Sequence, residues 1–133
     1  MDQNVKNVVE ECTRGSDEER LSFPEVLDLL ARVGVERYHA DLVRAEKVYY
    51  LPTGQAHVVS SEALATQPAL EFSAAGVEAA VRAIQARRVG YREFCRLIAA
   101  AGCAGYFVSL CGRRAVYYGR TTELFVEPFP PVR

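Results

Sequence analysis

Two histidines and an aspartate are the side chains whose type and spacing come nearest to a reactive centre. His39 and Asp41 stand two residues apart. In an extended strand they share a face, because successive side chains alternate. His57 is the other imidazole of the chain. If the strands carrying His39 and His57 are close in a sheet, two imidazoles and a carboxylate converge. Such a trio suits a divalent metal, or a general base oriented by Asp41. No Ser or Cys motif of nucleophile-elbow character, Gly-rich phosphate loop or His-Glu-x-x-His spacing accompanies it. The expectation is therefore a protein without a cofactor and more readily non-enzymatic than catalytic.

Three other residue sets invite a chemical reading. The tyrosine pairs Tyr49-Tyr50 and Tyr117-Tyr118 put one ring on each face of a strand, one for the core and one for an outer face. Tyr49, Phe107, Tyr117 and Phe125 are the interaction-surface candidates, suited to a dimer interface or a ligand groove. Arg82, Arg87, Arg88, Arg92 and Arg96 form a basic patch that could meet phosphate backbone with aromatic rings nearby. The acidic run Asp17-Glu18-Glu19 offers those arginines a charged partner instead, within the molecule or in a neighbouring one, and nucleic acid is the lesser expectation. Cys12, Cys95, Cys103 and Cys111 show no Cys-x-x-Cys spacing and read as reduced thiols.

The elements that must hold these residues are written twice. Placing Glu25 over Glu93, an offset of 68, also superposes Leu29 on Leu97, Gly34 on Gly102, Tyr38 on Tyr106, and Val48-Tyr49-Tyr50 on Val116-Tyr117-Tyr118. No gap is needed, which points to a tandem duplication. The first repeat covers about residues 5–59 and the second about 73–127. Residues 60–72, polar and alanine-rich, read as a linker carrying one short helical turn. Each repeat reads as two helices followed by two or three strands. Val5, Val8, Val9 and Cys12 recur at helical spacing until Gly15-Ser16-Asp17 breaks the pattern. A second helix starts at the N-cap Ser22, with Glu25 three residues on, and Gly34 ends it. Strand-forming segments follow at 36–43, 48–51 and 55–59, with counterparts at 105–111, 115–118 and 123–127. The fold class is α+β: a single pseudo-symmetric domain with a mainly antiparallel sheet and helices on one face.

The repeat gives each candidate an internal control. Cys95, Cys103 and Cys111 align with Leu27, Val35 and Val43 and so read as small buried hydrophobes. His39 and His57 align with Phe107 and Phe125, and Asp41 with Ser109. A wetter sheet face in the first repeat, where histidine simply replaces an aromatic ring, is the preferred explanation of those changes over a site. Charge diverges too: residues 1–68 carry 7 basic and 12 acidic side chains, and residues 69–133 carry 9 and 5.

At 133 residues, with 25% charged residues and a net charge of −1, the chain has the size and balance of an ordinary globular domain. It has no apolar run long enough to span a bilayer and no basic leader, so no membrane partner and a cytoplasmic location are expected.

The segments Phe-Pro-Glu-Val at 23–26, Gly-Val-Glu-Arg-Tyr-His-Ala-Asp-Leu at 34–42, Val-Tyr-Tyr at 48–50 and Phe-Ser-x-x-Gly-Val at 72–77 resemble the YbcV/YdfO-like family of small bacterial proteins, the DUF1398 family. The resemblance implies an α+β fold, a bacterial cytoplasmic origin and frequent association with prophages, and it transfers no catalytic residue. The expected role is a protein-interaction or regulatory module acting on itself or a protein partner. A ligand- or metal-binding protein centred on His39, Asp41 and His57 is the alternative, and nucleic-acid binding through the second repeat a third.

Overall fold

A computed structural model describes residues 1–130. Helix ends are set by local chemistry. Helix α1 (Gln3–Asp17) is capped by Asp2, whose carboxylate accepts from the Val5 amide. Helix α2 (Phe23–Arg32) carries a reciprocal capping box: Ser22 Oγ accepts from the Glu25 amide, and Glu25 accepts from the Ser22 amide. Helices α3 (Ala74–Gln85) and α4 (Tyr91–Ala100) occupy the corresponding places in the second half. Gly34 and Gly102, at φ +81° and +88°, turn the chain out of α2 and α4 in the left-handed conformation that glycine adopts at least cost.

Two expectations about these elements need correction. Gly15-Ser16-Asp17 does not break α1, which runs to Asp17. Glycine stands there because a Cβ would lie 2.4 Å from Cδ1 of Leu21, which packs onto the helix as the chain leaves it. The linker contains no helical turn. It is held instead by amides bonded to neighbouring elements: Ser61 to the Ala45 carbonyl, Glu62 to the Asp17 carboxylate, Ala69 to the Ala99 carbonyl and Ser73 to the Ala101 carbonyl.

The strands are β1 (Arg37–Asp41), β2 (Glu46–Tyr50), β3 (Ala56–Ser60), β4 (Cys103–Ser109), β5 (Arg114–Gly119) and β6 (Leu124–Pro128). They form one six-stranded sheet in the order β3-β2-β1-β4-β5-β6, every pairing antiparallel. The chain is thus an α+β protein in which the order helix, helix, strand, strand, strand occurs twice. The two halves meet at β1 and β4, where His39 pairs with Phe107, Tyr38 with Val108 and Ala40 with Tyr106. The central partners, His39 and Phe107, are 68 positions apart. The register elsewhere keeps the same offset: Tyr38 opposite Tyr49 recurs as Tyr106 opposite Tyr117, and Tyr49 opposite His57 recurs as Tyr117 opposite Phe125. The strand register is thus repeated at the same 68-residue offset on either side of the His39–Phe107 pair.

All four helices cover the same side. Tyr38, Ala40, Tyr49, Tyr106, Val108, Ala115 and Tyr117 point into a core shared with Val9, Leu30, Val77, Val81, Phe94 and Ile98. The inward tyrosine rings pack against one another, Tyr38 with Tyr49 at 5.2 Å and Tyr106 with Tyr117 at 5.3 Å. Two of their hydroxyls are hydrogen-bonded, Tyr49 with Thr13 at 2.8 Å and Tyr106 with Tyr91 at 2.7 Å.

Candidate functional site

The side of the sheet away from the helices is bare, and the strand register orders its side chains into three rows running across the strands. The middle row reads Val58, Val48, His39, Phe107, Val116, Val126. On one side of it lie Ala56, Tyr50, Arg37, Ser109, Arg114 and Pro128, and on the other Ser60, Glu46, Asp41, Gly105, Tyr118 and Leu124. An apolar stripe thus spans the full width of the sheet, flanked by a row carrying two arginines and a row carrying two carboxylates. Four of the seven large hydrophobic residues exposed among those described belong to this face: Val58 at 53%, Phe107 at 45%, Leu124 at 61% and Val126 at 44%. They are clustered and not scattered singly over the surface.

At the centre of the face His39 stacks on Phe107, rings 4.3 Å apart and 15° from parallel, and its Nε2 lies 2.6 Å from the Tyr118 hydroxyl. Tyr118 reaches it because its partner is Gly105, where a Cβ would lie 2.4 Å from the phenol oxygen. Burial lowers the pKa of His39, against an opposing pull from Asp41 and Glu46. Burial, with help from the Asp41 charge, pushes Tyr118 up to about 12. Both shifts favour the neutral forms of the two side chains, which meet in a hydrogen bond within an aromatic cluster.

The proposed histidine trio does not converge. His57 pairs with Tyr49 and shares its face, the helix side, where its Nε2 lies 3.4 Å from Glu10 of α1. His39 is on the bare side. Asp41 shares that side, but its Oδ1 accepts from the Val43 and Arg44 amides and shapes the β1–β2 turn. Among the described residues no group of three or more His, Cys, Asp or Glu side chains is placed to hold a metal.

The interaction-surface candidates also divide. Phe107 is on the bare face, whereas Tyr49 (1% exposed) and Tyr117 (7%) are core residues, and Phe125 packs beside Tyr117 on the helix side. Their places outside are taken by Tyr50 and Tyr118, because the inward parity goes to the tyrosine whose hydroxyl or ring meets the helices. The basic patch is largely engaged. Arg82 bonds Glu127 at 3.0 Å and Glu78 at 3.3 Å, Arg92 bonds Glu19 at 3.0 Å, and Arg96 bonds Glu93 at 2.7 Å. Arg87 and Arg88 are exposed between α3 and α4. Of the cysteines, Cys12, Cys95 and Cys103 are buried, and burial pushes each thiol up to about 11. Cys111 is exposed, contrary to expectation, because it lies in the β4–β5 turn, as Val43 lies in the β1–β2 turn.

One group escaped the sequence reading. Lys47 is inward-facing on β2, only 4% exposed, with its Nζ 4.6 Å from the Tyr91 ring centre and 5.9 Å from that of Tyr38. It has no carboxylate in ion-pair reach among the described residues, and burial lowers its pKa. Its counterpart 68 positions on is Ala115, and a lysine replacing alanine two residues before an inward tyrosine was the available signal. Near it, α1, the end of β3 and the linker enclose an open cleft of about 780 Å³. The cleft is lined by Glu10, Asp17, Glu18 and Glu62 together with Arg14 and Arg92.

Fold and site together define a class: a helix-backed antiparallel sheet with an apolar open face. The chain belongs to the family described as protein of unknown function, DUF1398, whose model matches residues 16–128. No curated protein matches it. No helix among the described residues is long and apolar enough to cross a membrane.

Proposed function

We propose that this protein is a non-enzymatic interaction module whose working surface is the open face of the sheet. The observation that carries this reading is the uncharged middle row, Val58 to Val126, with Phe107 and Val126 left almost half exposed between rows of opposite charge. An apolar centre with a polar rim is the anatomy of a protein contact. The neutral His39–Tyr118 pair at its centre offers shape and stacking area and no activated nucleophile. Pairing of Arg82, Arg92 and Arg96 with carboxylates weighs against phosphate binding through the second half.

In the same reading the chain is one pseudo-symmetric domain of duplicated origin, with repeats at about 5–59 and 73–127, acting in the bacterial cytoplasm. The repeated element order and the register kept at the 68-residue offset support the duplication.

The test is oxidative footprinting of Phe107, Tyr118 and Tyr50 in the cells that make the protein, compared with the dilute purified chain. The three side chains should be protected in cells, while Phe23, exposed on α2, reacts alike in both. Equal labelling of Phe107 and Tyr118 in both settings would refute the reading.

A further inference from the structure

Resting on the reading of the open face as a contact surface, we propose that its occupant is a second copy of this chain. The two copies pack face to face about a two-fold axis that runs along the Val58-to-Val126 stripe. Two copies of this face can be related in two simple ways. A two-fold parallel to the strands lays each charged row over itself in reverse strand order, so Arg37 faces Ser109, Arg114 faces Tyr50, Asp41 faces Gly105 and Glu46 faces Tyr118, and no opposite charges meet. A two-fold along the stripe keeps each apolar residue over the stripe of its mate and exchanges the outer rows. The arginine row of each copy then lies over the carboxylate row of the other. Because Arg37 and Asp41 flank His39 on the same strand, this rotation brings Arg37 of one copy over Asp41 of the other, twice per dimer. Charge complementarity thus selects one of the two arrangements.

The dimensions suit a dimer. Six strands about 4.8 Å apart and five residues of about 3.4 Å each give a face of roughly 29 by 17 Å. That is about 490 Å² of projected area per copy, and about 1,000 Å² for the pair before side-chain relief adds to it. This reaches the lower bound for a specific association and indicates a reversible dimer. Aligned packing of two such faces resembles a β-sandwich, in which facing sheets interdigitate about 10 Å apart. Arg37 lies over the Tyr50 ring, 4.1 Å from its centre, on the bare face, and is paired there with Glu36 of its own chain, a contact the Asp41 carboxylate of the second copy would join or replace.

Sedimentation equilibrium of the full chain, from low to high micromolar concentration, tests the proposal. The wild type should shift from monomer to dimer, and Phe107→Glu should weaken association at least about tenfold, as loss of a central apolar contact does. Val126→Lys, further from the core, should act in the same direction and stands in if Phe107→Glu does not fold. The geometry is read by a double-mutant cycle. Arg37→Glu alone weakens the dimer. Asp41→Asn, whose amide oxygen still serves the turn, weakens the wild-type dimer but strengthens that of Arg37→Glu. A chain that remains monomeric throughout overturns the proposal, as does a dimer indifferent to both apolar substitutions or an Asp41→Asn effect of the same sign in both backgrounds. A monomer whose Phe107 and Tyr118 are nonetheless protected in cells overturns only the identity of the partner and leaves the open face as the contact surface.

Discussion

Lys47→Met should make the protein more stable. The ammonium is nine-tenths or more removed from solvent, faces the rings of Tyr91 and Tyr38, and has no carboxylate within ion-pair distance among the described residues. Replacing buried ionic groups by apolar side chains of similar volume stabilises by about 1–4 kcal/mol. Loss of the ring contacts takes back about 1 kcal/mol. The middle of that range leaves a net gain of about 1.5 kcal/mol. With a melting entropy of about 2.1 cal/mol/K per residue, 133 residues gain about 4 °C per kcal/mol, so Tm should rise by about 5 °C. The pH dependence has a defined sign. The folded pKa lies below the ordinary 10.5 of lysine, so within the interval between the two the unfolded chain binds the extra proton. Wild-type stability therefore rises with pH through that interval, and the advantage of the variant shrinks as pH approaches 10.5. Above about pH 10 the buried phenols of Tyr38, Tyr91 and Tyr106, all raised by burial, oppose this in both proteins, because only the unfolded chain releases their protons. Melting followed by circular dichroism over a pH series measures both effects. An unchanged or lower Tm at neutral pH refutes the reasoning, since it would mean the ammonium is better satisfied in place than a methyl thioether.

Gly34→Ala and Gly102→Ala should separate in urea denaturation although both occupy left-handed backbone. Nothing lies within 4 Å of the position a methyl group would take at Gly34, so the loss should be the conformational strain of about 1 kcal/mol. At Gly102 the methyl would lie 2.1 Å from the Glu71 carbonyl oxygen, and displacing the linker adds about 1–3 kcal/mol; equal losses would contradict this. Native protein at pH 7.5 should present one rapidly reacting thiol to a maleimide, Cys111. Cys12, Cys95 and Cys103 are buried, with thiols pushed up to about 11, and should react only on unfolding; a second fast thiol would contradict the burial assignment.

What could be read from the sequence was what neighbouring residues decide. The Ser22–Glu25 capping box, the exits at Gly34 and Gly102, and the alternation of faces within each strand are local and were all legible. The relation of faces between strands was not, because a shift of one residue in pairing inverts every side chain of a strand. Tyr38 and not His39 lies opposite Tyr49, and His57 lies opposite Tyr49. That single phase sends His57 to the helices and His39 to the bare side, and it dissolves the trio. Lys47 was hidden for a related reason: a charge in a strand suggests solvent until the parity of its neighbour Tyr49 is known. With the register in hand, comparing the halves becomes more discriminating. Lys47 against Ala115 is the change of charge in the core, and His39 against Phe107 is the difference at the centre of the open face. The second pair is where the two halves meet, each residue facing its counterpart 68 positions away. The outer rows diverge as well: at the same offset Arg37 corresponds to Gly105, Asp41 to Ser109 and Glu46 to Arg114, so the two long edges of the open face carry opposite charge although the backbone pairing of the halves is the same.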